Sequence, residues 1–229
     1  MALAGSGAVA IWHDIVAEGR AEFYAWHGQE HMPERTAIPG FLRGRRYVAI
    51  HGAPEYFNLY ETADPAVVAG PDYLARLNAP TPWTVATVAY FRGVSRSLCA
   101  VPASHGAGEG GLIATYRYDV ADDDAATHRE RMSGRLARLA SEPGIAGAHL
   151  LVADLQASSV DTAEKKVRKE KNAIPRWIVL VESWDDARPF IEVARRFAAD
   201  AVFEGALEAP DWAVYRVQNT RSASPPRDG

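Results

Sequence analysis

Residues 26–35 read WHGQEHMPER and crowd two histidines and two glutamates into ten positions. His27, Glu30 and His31 spell H-x-x-E-H, one of the spacings found in zinc peptidases. His27 and His31 stand about one helical turn apart, so both imidazoles could meet one metal ion or one substrate atom. A hydrolytic zinc site also needs a third ligand and an open position. His13 or Glu61 could supply that ligand. Zinc peptidases with this motif are larger chains of another architecture, so the expectation here is no metal. The alternative chemistry is general acid–base catalysis, with imidazoles that titrate near neutrality. On a helix, Phe23, Trp26, His27, Glu30 and His31 fall within an arc of about 140°. Polar groups on such a stripe, turned towards a sheet, must find partners or cost stability. That favours a pocket, although His27 and Glu30 could also serve only as a surface pair worth little. Pro33 is expected to disrupt the helix just beyond.

The elements that must position these residues come in a repeated order. Residues 8–15 read as a strand, 21–37 as a helix, 42–52 and 55–62 as a strand pair, 64–79 as helix broken at Pro71, and 83–94 as a closing strand. The order β-α-β-β-α-β then recurs. GLIATYRYDV and AGAHLLVADL read as strands flanking the helix DDDAATHRERMSGRLARLAS. WIVLVESW, DDARPFIEVARRFAADA and DWAVYRVQNT complete the second pass as strand, helix and strand. Pro39-Gly40 recurs as Pro143-Gly144, and the same offset maps Val9-Ala10 onto Ile113-Ala114. The fold class is therefore α+β: tandem ferredoxin-like repeats, 1–98 and 111–220, whose sheets pack face to face as an intrachain barrel with the helices outside. Residues 99–110 are expected as a linker and 221–229 as a flexible tail. An insertion, 156–176, breaks the symmetry and holds every lysine of the chain: Lys165, Lys166, Lys169 and Lys171. It reads as a solvated loop or short helix, or else as a flap over a pocket.

Residues Phe23, Trp26, His31, Pro33, Pro39-Gly40 and Arg46-Tyr47 resemble the dimeric α+β barrel superfamily, and within it the EthD-like proteins. The fold resemblance covers both halves; the motif covers about residues 20–50. The superfamily hosts monooxygenases, isomerases, cyclases and haem proteins, so the resemblance implies a fold more than a reaction. Ordinary members build the barrel from two identical chains, whereas this chain carries both halves. At the repeat offset His27, Glu30 and His31 become Arg131, Gly134 and Arg135, so one functional site is expected, in the first half.

The expected activity is proton transfer on an aromatic or carbonyl compound by a lyase, isomerase or cyclase without a cofactor. His31 would be the base or acid, with His27 or Glu30 as partner. Arg46 would hold developing negative charge and Tyr60 would donate a hydrogen bond. Trp12, Trp26, Tyr47, Tyr56 and Trp83 would be the aromatic walls. Strand alternation places Arg43, Arg45, Tyr47 and His51 on one face and Arg46 on the other. Two alternatives remain: a haem- or oxygen-dependent monooxygenase with His31 or His27 as axial ligand, and a non-catalytic ligand-binding protein. His105 and His149 read as structural, His128 as surface, and Asp122–Asp124 as a helix start.

A formal net charge of -4 speaks against a nucleic-acid binder. No apolar run is long enough to span a membrane. Cys99 is the single cysteine, which excludes an intrachain disulfide and a Cys-based zinc cage. Together with the lack of a signal-peptide pattern, this leads us to expect a cytoplasmic protein that is a monomer or a homodimer, with a small molecule as its partner.

Overall fold

The computed structural model of the protein describes residues 3–167 and 173–223. The first pass of strands is β1 (Gly7–Ile15), β2 (Phe41–His51), β3 (Tyr56–Thr62) and β4 (Phe91–Gly106). The second is β5 (Leu112–Tyr118), β6 (Ile145–Ala153), β7 (Trp177–Ser183) and β8 (Asp211–Ser222). They close an antiparallel barrel in the order β1-β3-β2-β8-β5-β7-β6-β4. The two passes meet at β2·β8 and β4·β6, so each sheet uses the other to remove its free edges. The recurring Pro-Gly turns have the same backbone: Gly40 and Gly144 both sit at φ 86°, where a side chain would strain the chain.

The period-2 alternation of the strands sorts their side chains into two cores. Ala8, Ala10 and Trp12 of β1, Tyr47 of β2, Phe57 and Leu59 of β3, and Tyr215 of β8 fill the barrel interior. Their neighbours in sequence, such as Val9 and Tyr60, point outward against helices. Helices α1 (Arg20–Trp26) and α2 (Met32–Thr36), joined by a π-turn at His27–His31, cover the first sheet with α3 (Ala66–Ala69), α4 (Pro71–Asn78) and α5 (Pro82–Val88). Helices α6 (Ala125–Leu139) and α9 (Ala187–Ala198) cover the second, with Met132, Leu136, Phe190 and Phe197 in its core. The insertion carries α7 (Leu155–Ser159) and α8 (Ala163–Val167). Lys169, Lys171 and residues 224–229 of the expected tail lie outside the described residues.

Four expectations are corrected. Pro33 does not end the helix. The amide of Met32 bonds the carbonyl of His27, a π-type step just ahead of the proline, and the helix runs on to Thr36. Residues 83–88 are helical, not strand: Thr81 caps them by accepting from the Thr84 amide, and Pro82 occupies the first turn. Much of the expected linker is strand, because β4 continues to Gly106 to pair with β6. His128 is buried, not on the surface; its Nε2 lies 3.0 Å from the Tyr118 hydroxyl. Asp122–Asp124 form a 3-10 turn leading into α6.

Candidate active site

The π-turn sets the site. It widens the helix by one residue and brings His27 and His31 to the buried face, with Trp26 beside them. π-turns inside helices recur at functional sites. The His31 ring lies 4.3 Å from the Trp26 ring and 5.5 Å from that of His27. His27 Nε2 lies 3.1 Å from the Tyr60 hydroxyl, which rises from the outward face of β3. His27 Nδ1 has no hydrogen-bond partner. Burial first, then the positive fields of Arg46, His13 and Arg35, hold the His27 pKa well below the usual histidine value. The imidazole is therefore neutral at pH 7. Burial likewise keeps the Tyr60 phenol protonated.

These groups line an enclosed cavity between helix and sheet, with Asn58, Phe91, Arg35, Arg96, Tyr73 and Glu164 among its other walls. Its volume is about 30 Å³, enough for one or two water molecules and far below a ligand pocket of ~300 Å³ or more. A larger groove of about 370 Å³ lies between α3 and α7, but its floor is mostly apolar and holds no imidazole or phenol. We place the candidate site where the proton-active groups converge, not in a roomier groove.

Arg35 and Glu164 were not among the residues expected. Arg35 follows His27 and His31 at steps of four along one helix, a signal that the expected break at Pro33 obscured. Its Nη2 donates to Glu164 Oε2 at 2.6 Å, and both side chains are largely buried. Burial opposes the Arg35 charge; Glu164, Tyr73 and Tyr60 outweigh it and raise the guanidinium pKa. Arg96, from β4, donates to the Tyr73 hydroxyl at 2.9 Å.

The other expected residues lie elsewhere. Arg46 faces the helices, but over the rings of Phe23 and Tyr24, with Nε donating to Gln218 Oε1; it does not line the cavity. Glu30 accepts from the hydroxyls of Thr81 and Thr84 and ties the helix to α5, away from His31. Trp83 sits on α5 and donates to Glu22. Tyr56 lies 3.0 Å from the Tyr24 hydroxyl within the aromatic cluster. Trp12 and Tyr47 point into the barrel, on the opposite face of the sheet from His27. So does Glu61, which pairs with Arg43 and Arg45, so it cannot share a metal with the histidines. His13 lies 2.9 Å from the Asn58 amide nitrogen, between aromatic rings. Among the described residues no group of three or more His, Cys, Asp or Glu is placed to hold a metal ion.

A haem does not fit these residues as arranged. As arranged, the cavity of about 30 Å³ holds neither a porphyrin nor a smaller ring, and a porphyrin would need far more than Glu164 to move; His27 Nε2 already meets Tyr60.

No family model matches the sequence, and no curated protein matches it either. Solved structures do match along nearly the whole chain. An anthrone oxidase-like protein shares 13% identity at a TM-score of 0.63, covering 96% of this chain and 93% of that one. A candidate monooxygenase from Lactobacillus acidophilus NCFM shares 12% at 0.57, covering 95% and 97%. A candidate chlorite dismutase shares 12% at 0.55, covering 94% and 96%. At such identities the likeness shows the fold, an α+β barrel of ferredoxin-like units. Among the described residues no helix is long and apolar enough to cross a membrane.

Proposed function

We propose that the protein is an enzyme that moves a proton on a small aromatic or carbonyl compound, using the His27–His31 cavity and no cofactor. The observation that supports this most is a neutral, buried imidazole, His27, held by Tyr60 and set beside His31 in a cavity that also holds guanidinium groups. In this reading His31 takes the proton from the substrate. His27, fixed by Tyr60, keeps a neutral imidazole beside it. Arg35 and Arg96 replace Arg46 as the groups that hold the anion left behind. Trp26 and Phe91 stack against the ring. Closer membership among the EthD-like proteins and a cytoplasmic location belong to the same proposal.

The anthrone oxidase-like neighbour suggests a probe. Anthrone has an acidic methylene, and loss of its proton leaves an aromatic enolate whose charge rests on a phenolate-type oxygen. In D2O, reprotonation then places deuterium on that carbon, and atoms and charge balance without an oxidant. The protein should speed this exchange with saturation, and His31→Asn should lower the rate by about 10²–10⁴-fold. Equal rates in wild type, His31→Asn and buffer would refute the assignment.

A further inference from the structure

The described walls of the cavity carry more positive than negative side chains. Among the described residues its walls carry two guanidinium groups, Arg35 and Arg96, and one carboxylate, Glu164. Both guanidinium carbons stand 5.8 Å from the ring centre of Tyr73, one held by Glu164 and the other by the Tyr73 hydroxyl. His27 is neutral, and burial keeps the Tyr60 phenol neutral too. A buried excess charge is costly unless an anion meets it.

The hold of Glu164 on Arg35 is also incomplete. Only Nη2 reaches the carboxylate; Nη1 is buried and has no hydrogen-bond partner. A guanidinium fork accepts a carboxylate best through two parallel bonds. Glu164 arrives from outside the barrel framework, on the five-residue α8 of the insertion, and α8 buries none of its own residues. It packs against α4 and α5, with the Ala163 amide donating to Asn78 Oδ1 at 3.1 Å and Val167 resting on the cluster that holds Trp26 and Phe91. Glu164 closes one side of the cavity, and a ring seated beside Trp26 and Phe91 needs the place that it holds.

From these observations we propose that the cavity binds a planar aromatic anion, through a carboxylate or phenolate oxygen, and that this anion takes the place of Glu164 on Arg35. Glu164 is then a built-in competitor, supplied by the second repeat to a site in the first. The inference rests on the cavity being the ligand site of the proposed function, but not on its histidines moving protons.

Calorimetric titration tests it with two probes of one shape, benzoate and neutral benzamide. Glu164→Gln keeps the side-chain shape and removes the competing charge. Benzoate should bind this variant at least about tenfold more tightly than wild type, since a tethered carboxylate competes at a high effective concentration. Benzamide, which brings Arg35 no charge and meets no repulsion from Glu164, should gain less. Glu164→Ala should show the same gain, and Arg35→Lys should remove most of it, because an ammonium cannot take two parallel bonds. Benzoate affinity that is unchanged or weaker in both Glu164 variants would overturn the displacement. An equal gain for benzamide would overturn the anionic class. If proton exchange fails while the benzoate gain persists, the catalytic reading falls and this one stands; the reverse result separates them the other way.

Discussion

Tyr60 and Tyr47 lie on opposite faces of the same sheet, both fully buried, and their hydroxyls have opposite circumstances. The Tyr60 hydroxyl is 3.1 Å from His27 Nε2, whereas the Tyr47 hydroxyl has no hydrogen-bond partner. Tyr60→Phe leaves no cavity beyond one oxygen, yet it strips His27 of its partner. Since Nδ1 already lacks one, the imidazole N–H then stays buried and unsatisfied, at a cost of about 1–2 kcal/mol. For a chain of this length that lowers Tm by about 2–8 °C. Tyr47→Phe removes an unpaired polar group and should leave Tm unchanged or raise it. Differential scanning calorimetry at pH 7.5, where both histidine states are neutral, reads the two variants side by side. Equal losses, or a stable Tyr60→Phe beside a destabilised Tyr47→Phe, would refute the hydrogen-bond assignment and the facing of the two strands.

Other outcomes follow from the same packing. Glu182→Gln breaks the paired contact of Arg45 with Glu182 inside the barrel, 2.7 and 3.0 Å, and should cost about 3–5 kcal/mol in a urea unfolding curve; a loss under about 1 kcal/mol would mean the pair is not dry. His27 and His128 both have folded pKa values below the ordinary 6.5, His128 at about 4 through burial and then Arg131. Above pH 6.5 neither binds a proton in either state. Below it the unfolded chain binds protons that the folded chain refuses, so stability falls from pH 7.5 to pH 5, by about 1–2 kcal/mol for His128. His128→Gln should remove that share of the acid loss; an unchanged pH slope would show that His128 is solvated.

Much of the framework could be read from residue patterns because it depends on local rules. The Pro-Gly turns at 39–40 and 143–144 announced the repeat, and the same φ at both glycines is its structural counterpart. Alternation along β2 separated Arg46 from Arg43, Arg45 and Tyr47 correctly. The failures share a cause: the deciding contact is remote or locally ambiguous. WTVATV is rich in strand-forming residues, and the Thr81-Pro82 cap overrides them. β4 extends through a stretch with linker composition because β6 offers it a partner. Arg35 was hidden by the reading of Pro33 as a break, which the π-turn avoids. Glu164 reaches the cavity from 129 positions away along the chain, and no spacing within the motif could indicate it.

The central claim is that the substrate sits at the π-turn histidines. A crystal structure with 2-naphthol bound tests it most directly. The account predicts the ring between Trp26 and Phe91, α8 displaced, the phenolic oxygen about 2.6–3.2 Å from the Arg35 or Arg96 guanidinium, and a ring carbon beside that oxygen turned towards His31. Naphthol bound in the groove between α3 and α7 or elsewhere, with the cavity still closed by Glu164 on Arg35, would contradict it.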